Sequence, residues 1–139
     1  MTDPVAAADL DGVTAFLDQV RRAWDAGDAG AYAALFAQDA SYVIFLGDAL
    51  FGREEIGRTH REVFGRWQKG TKMAVRALDV RMVGADVAVV TTIGGIGKRA
   101  AIPYDKFHTY TLRRTVEGWE CAAFQNTEMS RRAKRVHAH

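Results

Sequence analysis

Residues 72–93 read KMAVRALDVRMVGADVAVVTTI, and this stretch decides the fold class. Lys72–Val83 and Val87–Ile93 are rich in apolar and β-branched side chains, and Gly84-Ala85-Asp86 between them supplies hairpin-turn chemistry. Two strands joined by so short a turn run antiparallel. Downstream the pattern repeats, with Tyr104–Val116 and Trp119–Thr127 reading as strands around the turn Glu117-Gly118. Gly94 to Pro103, basic and glycine-containing, reads as a mobile connection between the two hairpins. In the Tyr104 strand, His108, Tyr110 and Leu112 share one face, read as inward. Thr109, Thr111, Arg113 and Thr115 share the other face, turned outward or toward another subunit.

Upstream of residue 72 the period changes. Leu10, Val13, Phe16, Leu17, Val20 and Trp24 recur at helical spacing, with Asp11, Asp18, Arg22 and Asp25 opposite them. Gly27 fits a helix C-terminus, and Asp28 fits the N-cap of a second, short helix running to Phe36. Ser41–Leu46 reads as a strand. The segment Arg53 to Gln68 then places Ile56, His60, Val63, Phe64 and Trp67 at i, i+4, i+7, i+8 and i+11, one face of an amphipathic helix. Helices first and an antiparallel meander afterwards predict an α+β domain with the helices on one face of the sheet.

His60 is the informative residue of that helix, because imidazole alone on the apolar stripe can exchange a proton near neutral pH. Two readings stand side by side: a core histidine satisfied by a carbonyl or hydroxyl, or a histidine on a pocket wall.

The 139 residues suit one domain, with a core at about 9–128 and a basic, frayed tail at 129–139. The net charge of +2 misleads. Arg131, Arg132, Lys134 and Arg135 fall in the last ten residues, and without them the chain has 15 basic and 17 acidic residues. A body without a basic stripe argues against nucleic-acid binding. No apolar run approaches membrane-spanning length, and Met1–Leu10 lacks the layout of a signal peptide, so the expectation is a cytoplasmic protein without membrane attachment. The single cysteine, Cys121, reads as a small buried side chain.

Cofactor motifs fail on inspection. Gly94-Gly95-Ile96-Gly97-Lys98 has Thr92 where a phosphate loop needs its first glycine, and Arg99 follows Lys98 where a magnesium-binding hydroxyl belongs. There is no dinucleotide fingerprint, and His137 and His139 on the tail support no more than adventitious metal binding. The expectation is therefore no cofactor and no metal.

Three stretches together resemble a known family: Trp24-Asp25-Ala26-Gly27-Asp28 running to Phe36-Ala37-Gln38-Asp39-Ala40; Phe51-Gly52-Arg53-Glu54-Glu55-Ile56; and Gly118-Trp119 through Gln125-Asn126-Thr127. From about residue 9 to 128 the chain is similar to the SgcJ/EcaC group of nuclear-transport-factor-2-like, or SnoaL-like, domains found among polyketide and enediyne biosynthesis proteins. The resemblance implies a cone of three N-terminal helices against a curved antiparallel sheet, a pocket within it, and homodimers through the convex face. It also permits a comparison with ketosteroid isomerases. Val20 falls where those enzymes carry an oxyanion-donating tyrosine, Ile44 at their general-base aspartate, Tyr110 at their protonated aspartate, and His60 at a pocket-lining tyrosine. Without the base, steroid isomerase chemistry is lost.

Two functions from different classes follow. A binding protein would line an apolar box with Val20, Trp24, Ile44, Phe64, Trp67, Leu112 and Ala123. His60, His108, Tyr110 and Gln125 would orient a small hydrophobic, aromatic or polyunsaturated ligand. A cofactor-free isomerase, cyclase or dehydratase would use His60 as acid/base and Tyr110 as oxyanion donor. A third possibility is a dimeric partner-binding protein with a vestigial cavity.

Overall fold

The computed structural model describes residues 4–137. Its elements are α1 (Ala7–Asp25), α2 (Ala29–Ala33), β1 (Phe36–Ile44), β2 (Asp48–Phe51) and α3 (Arg53–Glu62), followed by a π-helical turn (Val63–Trp67). Then come β3 (Lys72–Met82), β4 (Val87–Gly97), β5 (Lys106–Thr115), β6 (Gly118–Glu128) and α4 (Arg131–His137). The strands form one sheet in the order β2-β1-β6-β5-β4-β3, antiparallel except for the β1–β6 pair. This is the α+β cystatin-like architecture, with one long N-terminal helix and shorter ones rather than three comparable helices.

α1 forms because its apolar residues repeat with the helical period: Val13, Phe16, Leu17, Val20, Ala23 and Trp24 are all buried. It stops at a Schellman turn, where Gly27 (φ 63°) donates to the Trp24 carbonyl and Asp28 donates to that of Ala23. The Asp28 carboxylate at once caps the next helix, accepting from Ala31 N–H at 3.0 Å. Chain reversal in two residues lays α2 against α3 and closes the helical layer over the sheet's inner face.

Three expectations change in the second half of the chain. β4 does not end at Ile93 but runs to Gly97, because Gly94 and Gly95 are strand residues. A Cβ on Gly94 would lie 2.2 Å from the Ala74 carbonyl oxygen, and one on Gly95 2.1 Å from that of Pro103. These glycines permit close backbone approach rather than supplying a mobile loop. The expected frayed tail is helical over Arg131–His137. Met129 is buried and donates to the Asp105 carbonyl, Ser130 Oγ caps Ala133 N–H at 3.1 Å, and His137 stands against Phe107. His139 lies outside the described residues. Finally, β6 carries a bulge. Thr111 pairs with Ala123 but Leu112 pairs with Cys121, so Ala122 is an extra residue and the strand changes face there.

Candidate functional site

The inner sheet face and the helices above it enclose a cage of aromatic side chains. Tyr32 comes from α2, Phe36 and Tyr42 from β1, His60 from α3, Phe64 from the π-turn, Tyr110 from β5, Phe124 from β6 and Trp24 from α1. Ring centres lie 4.9 Å apart for Trp24–Phe64, 4.6 Å for Tyr32–His60, 4.5 Å for Tyr42–Phe124 and 4.9 Å for Tyr110–Phe124. Most pairs meet edge-on or tilted, the arrangement that ring quadrupoles favour.

A directed hydrogen-bond chain runs through this cage. His60 is 3 % exposed, and burial holds its pKa below the ordinary value, so the ring is neutral at pH 7. Nδ1 lies 2.7 Å from the Ile56 carbonyl, which can only accept, so Nδ1 carries the proton. Nε2 is therefore an acceptor and takes the Tyr42 hydroxyl at 3.2 Å. The Tyr42 oxygen in turn accepts from Tyr32 at 2.7 Å. Burial raises the pKa of both phenols, so neither ionises at physiological pH. With both ring nitrogens engaged inside the protein, His60 serves here as the fixed end of a buried polar relay.

The polar groups of the sheet lie further along the inner face. His108 is 5 % exposed, and its Nδ1 lies 2.9 Å from Thr92 Oγ1. Burial first, and the nearby Lys106 charge second, lower its pKa to about 4. The ring stacks on Phe124 with centres 5.8 Å apart and lies 6.1 Å from Tyr110. Tyr110 is 1 % exposed and meets Phe16 edge-on at 6.3 Å. Burial also pushes the Cys121 thiol up to about 12, so it is no nucleophile.

Val20, Trp24, Phe64 and Leu112 lie in the buried cluster as expected, and Ile44 packs against it. Three expected lining residues do not. Trp67 is 57 % exposed, because Gln68 N–H bonds the Val63 carbonyl across a π-turn. Each residue of that wider turn advances less around the axis than in an α-turn, so the indole swings off the Phe64 face. Ala123 and Gln125 stand opposite Thr111 and Thr109 on the outer face, a consequence of the Ala122 bulge, and Phe124 takes the inward place opposite Tyr110. His60 and Tyr110 lie on different sides of Tyr42 and Phe124 in the ring network and do not meet. Tyr42 and Tyr32 were missed. Tyr42 is two residues before Ile44 on the same strand, so alternation alone would have placed it inward.

Two solvent-facing clefts, of about 600 Å3 and 360 Å3, lie elsewhere. The larger holds Arg53 and Arg113 with Glu120 between them, and the smaller lies between α1 and α2. Neither is lined by any of the expected site residues.

The sequence profile of the SnoaL-like domain matches residues 13–125. The chain belongs to the SnoaL-like domain family. Solved structures agree on the fold of this SnoaL-like domain. A cystatin-like-fold domain from Nostoc punctiforme is similar over 95 % of this chain and 84 % of its own, with 24 % identity and a TM-score of 0.80. A ketosteroid isomerase-like protein from Erwinia carotovora atroseptica matches over 90 % and 99 %, with 19 % identity and a TM-score of 0.69. An NTF-2-like protein from Shewanella oneidensis matches over 86 % and 98 %, with 15 % identity and a TM-score of 0.74. Among functionally curated proteins there is no match. No helix among the described residues is long and apolar enough to cross a membrane.

Proposed function

We propose that this SnoaL-like domain is a small-molecule pocket protein of a polyketide- or enediyne-type pathway, binding an apolar aromatic or polyunsaturated ligand on the inner face of its sheet. The observation that carries the reading is the convergence of aromatic rings beside His108, a buried histidine with one nitrogen bound to Thr92 and no described partner for the other. Flat apolar walls with a few fixed polar points are what small-molecule sites are built from. The resemblance to the SgcJ/EcaC group supports the pathway assignment. The catalytic alternative, with His60 as acid/base and Tyr110 as oxyanion donor, is the weaker reading. His60 spends both nitrogens on Ile56 and Tyr42, and Tyr110 stands apart from it.

The test is retention. Purified protein is incubated with small-molecule extracts of the source cells, desalted, and examined by native mass spectrometry. The expected result is one compound retained at one per chain, its retention weakened by His108→Ala. No retained compound overturns the proposal. The outer face, where Phe51 is 66 % exposed alongside Thr109 and Gln125, is proposed to be covered by a second copy of the chain. Sedimentation at the 15.3 kDa mass of one chain would refute that dimer.

A further inference from the structure

The connection between β4 and β5 and the basic tail are far apart in sequence but lie side by side in the fold. Strand pairing puts Thr127 of β6, Phe107 of β5, Ile93 of β4 and Arg76 of β3 in one row across the sheet. Alternation from the inward His108 and Thr92 turns that row to the outer face. Ile93 is nonetheless fully buried, although it stands outside the main core cluster. Two segments reach this part of the outer face. Residues 98–105 bring the Pro103 carbonyl against Gly95, and the Tyr104 ring lies 5.5 Å from the Arg76 guanidinium. α4 brings His137 to 5.5 Å from Phe107. Met129 N–H donates to the Asp105 carbonyl at 2.9 Å and ties the two segments together.

Both segments are basic. Residues 94–104 carry Lys98 and Arg99, residues 129–137 carry Arg131, Arg132, Lys134 and Arg135, and neither run holds an acid. All six cations are exposed. Among the described residues Lys98, Arg99, Arg131 and Arg132 have no carboxylate partner, and Lys134 reaches Glu128 only at 3.9 Å between two exposed side chains. The nearby Asp105 carboxylate is held by Lys106 at 3.0 Å.

An apolar tip stands beside this cationic surface. Phe45 and Leu46, in the turn between β1 and β2, are 44 % and 77 % exposed. Val43 pairs with Gln125 and Phe45 N–H is held by Asn126 Oδ1 at 2.7 Å, so the parallel register brings Phe45 level with Thr127 in the Phe107 row. Adjacent strands lie about 4.8 Å apart, which puts the turn about 10 Å from Phe107 and the helix that packs on it.

We infer that this end of the outer face is a peripheral docking surface for an anionic lipid bilayer. α4 and residues 98–105 supply the charge, and Phe45 with Leu46 supplies the apolar anchor. Exposed apolar side chains rimmed by cations suit such a surface, where the cations meet acidic headgroups and the apolar tip enters the interface. A folded acidic partner would need a socket shaped for Leu46, whereas a fluid bilayer needs none. Such a contact requires no spanning run, whose absence underlay the expectation of no membrane attachment.

Cosedimentation of the full chain with vesicles tests this. The wild-type chain is expected on phosphatidylcholine vesicles containing about a third phosphatidylglycerol at low salt, and absent from pure phosphatidylcholine. Each cation close to an anionic surface contributes about fivefold, so the double variant Arg131→Gln, Arg132→Gln should weaken partitioning about 25-fold. Leu46→Ser should weaken it about tenfold through lost apolar burial. All three positions are exposed, and unchanged thermal unfolding shows that a loss of binding is not a loss of fold. Equal partitioning to neutral and anionic vesicles, no partitioning to either, or a charge variant that partitions like the wild type overturns the proposal. Wild-type partitioning by Leu46→Ser, with equally tight retention of the chain on polyglutamate, overturns the bilayer in favour of an acidic protein.

Discussion

Replacing Tyr42 by phenylalanine removes one oxygen from the middle of the chain Tyr32–Tyr42–His60, and the direction of that chain fixes the cost. The Tyr42 hydroxyl donates to His60 Nε2 at 3.2 Å and accepts from Tyr32 at 2.7 Å. Its loss strands two buried groups, the Nε2 lone pair and the Tyr32 O–H. Each orphan costs about 1–3 kcal/mol, so Tyr42→Phe should destabilise by about 3 kcal/mol, or about 10 °C in Tm for a domain of this size. Tyr32→Phe removes only the terminal donor and leaves Tyr42 bonded to His60, a loss of about 1 kcal/mol. The double variant is the sharper case. Removing Tyr32 Oη as well abolishes one of the two orphans, so the pair should be more stable than Tyr42→Phe alone, by about 1 kcal/mol. Urea midpoints at constant m-value measure all three. A double variant that is less stable than Tyr42→Phe, or a Tyr32→Phe cost equal to that of Tyr42→Phe, refutes the assigned direction of the chain.

The depressed pKa of His108 makes stability fall with acid. The unfolded histidine takes a proton below about 6.5, whereas the folded ring resists until about 4, held neutral by burial and the Lys106 charge against the opposing Asp105. Stability should therefore drop by about 2 kcal/mol between pH 7 and 4.5, with His60 adding in the same direction, and His108→Gln should remove the His108 share. Urea midpoints that stay level over this range would refute the assignment. The π-turn separates two aromatic residues that a continuous α-helix would place on one face. Phe64→Ala should cost about 3 kcal/mol, and the exposed Trp67→Ala no more than about 0.5 kcal/mol. Equal costs by thermal unfolding would restore the continuous helix.

Where the sequence was legible, local chemistry and tertiary packing agreed. The Val13-to-Trp24 stripe, the Gly27-Asp28 junction and the two hairpin turns each admit one local solution and appear where expected, whereas Leu10 at the head of that stripe is exposed. β2 escaped notice because it is only four residues long, without the run of apolar alternation that marks a strand. The extension of β4 through Gly94 and Gly95 escaped for the opposite reason. Glycine signals a loop by default, and only the approach of Ala74 and Pro103 carbonyls, set by partners distant in sequence, reveals that a side chain would not fit.

The site was harder to read because single-residue shifts invert the faces on which the reading depends. The binding reading drawn alongside the family resemblance placed Ala123 and Gln125 inward, but one extra residue at Ala122 sends them outward and brings Phe124 to stack between Tyr42 and His108. The π-turn does the same to Trp67. Period arguments assume an unbroken ladder or helix, and both irregularities fall at the boundary of the aromatic cage. Their effect on function is coherent. The bulge fills the cage with Phe124 and separates His60 from Tyr110, which removes the convergence that acid/base catalysis by that pair needs. It also leaves Asn126 opposite His108, with its Oδ1 accepting the Phe45 N–H. Of the two buried histidines, the one on the helix has both nitrogens engaged, by Tyr42 and Ile56, whereas the one on the sheet is bonded to Thr92 through Nδ1.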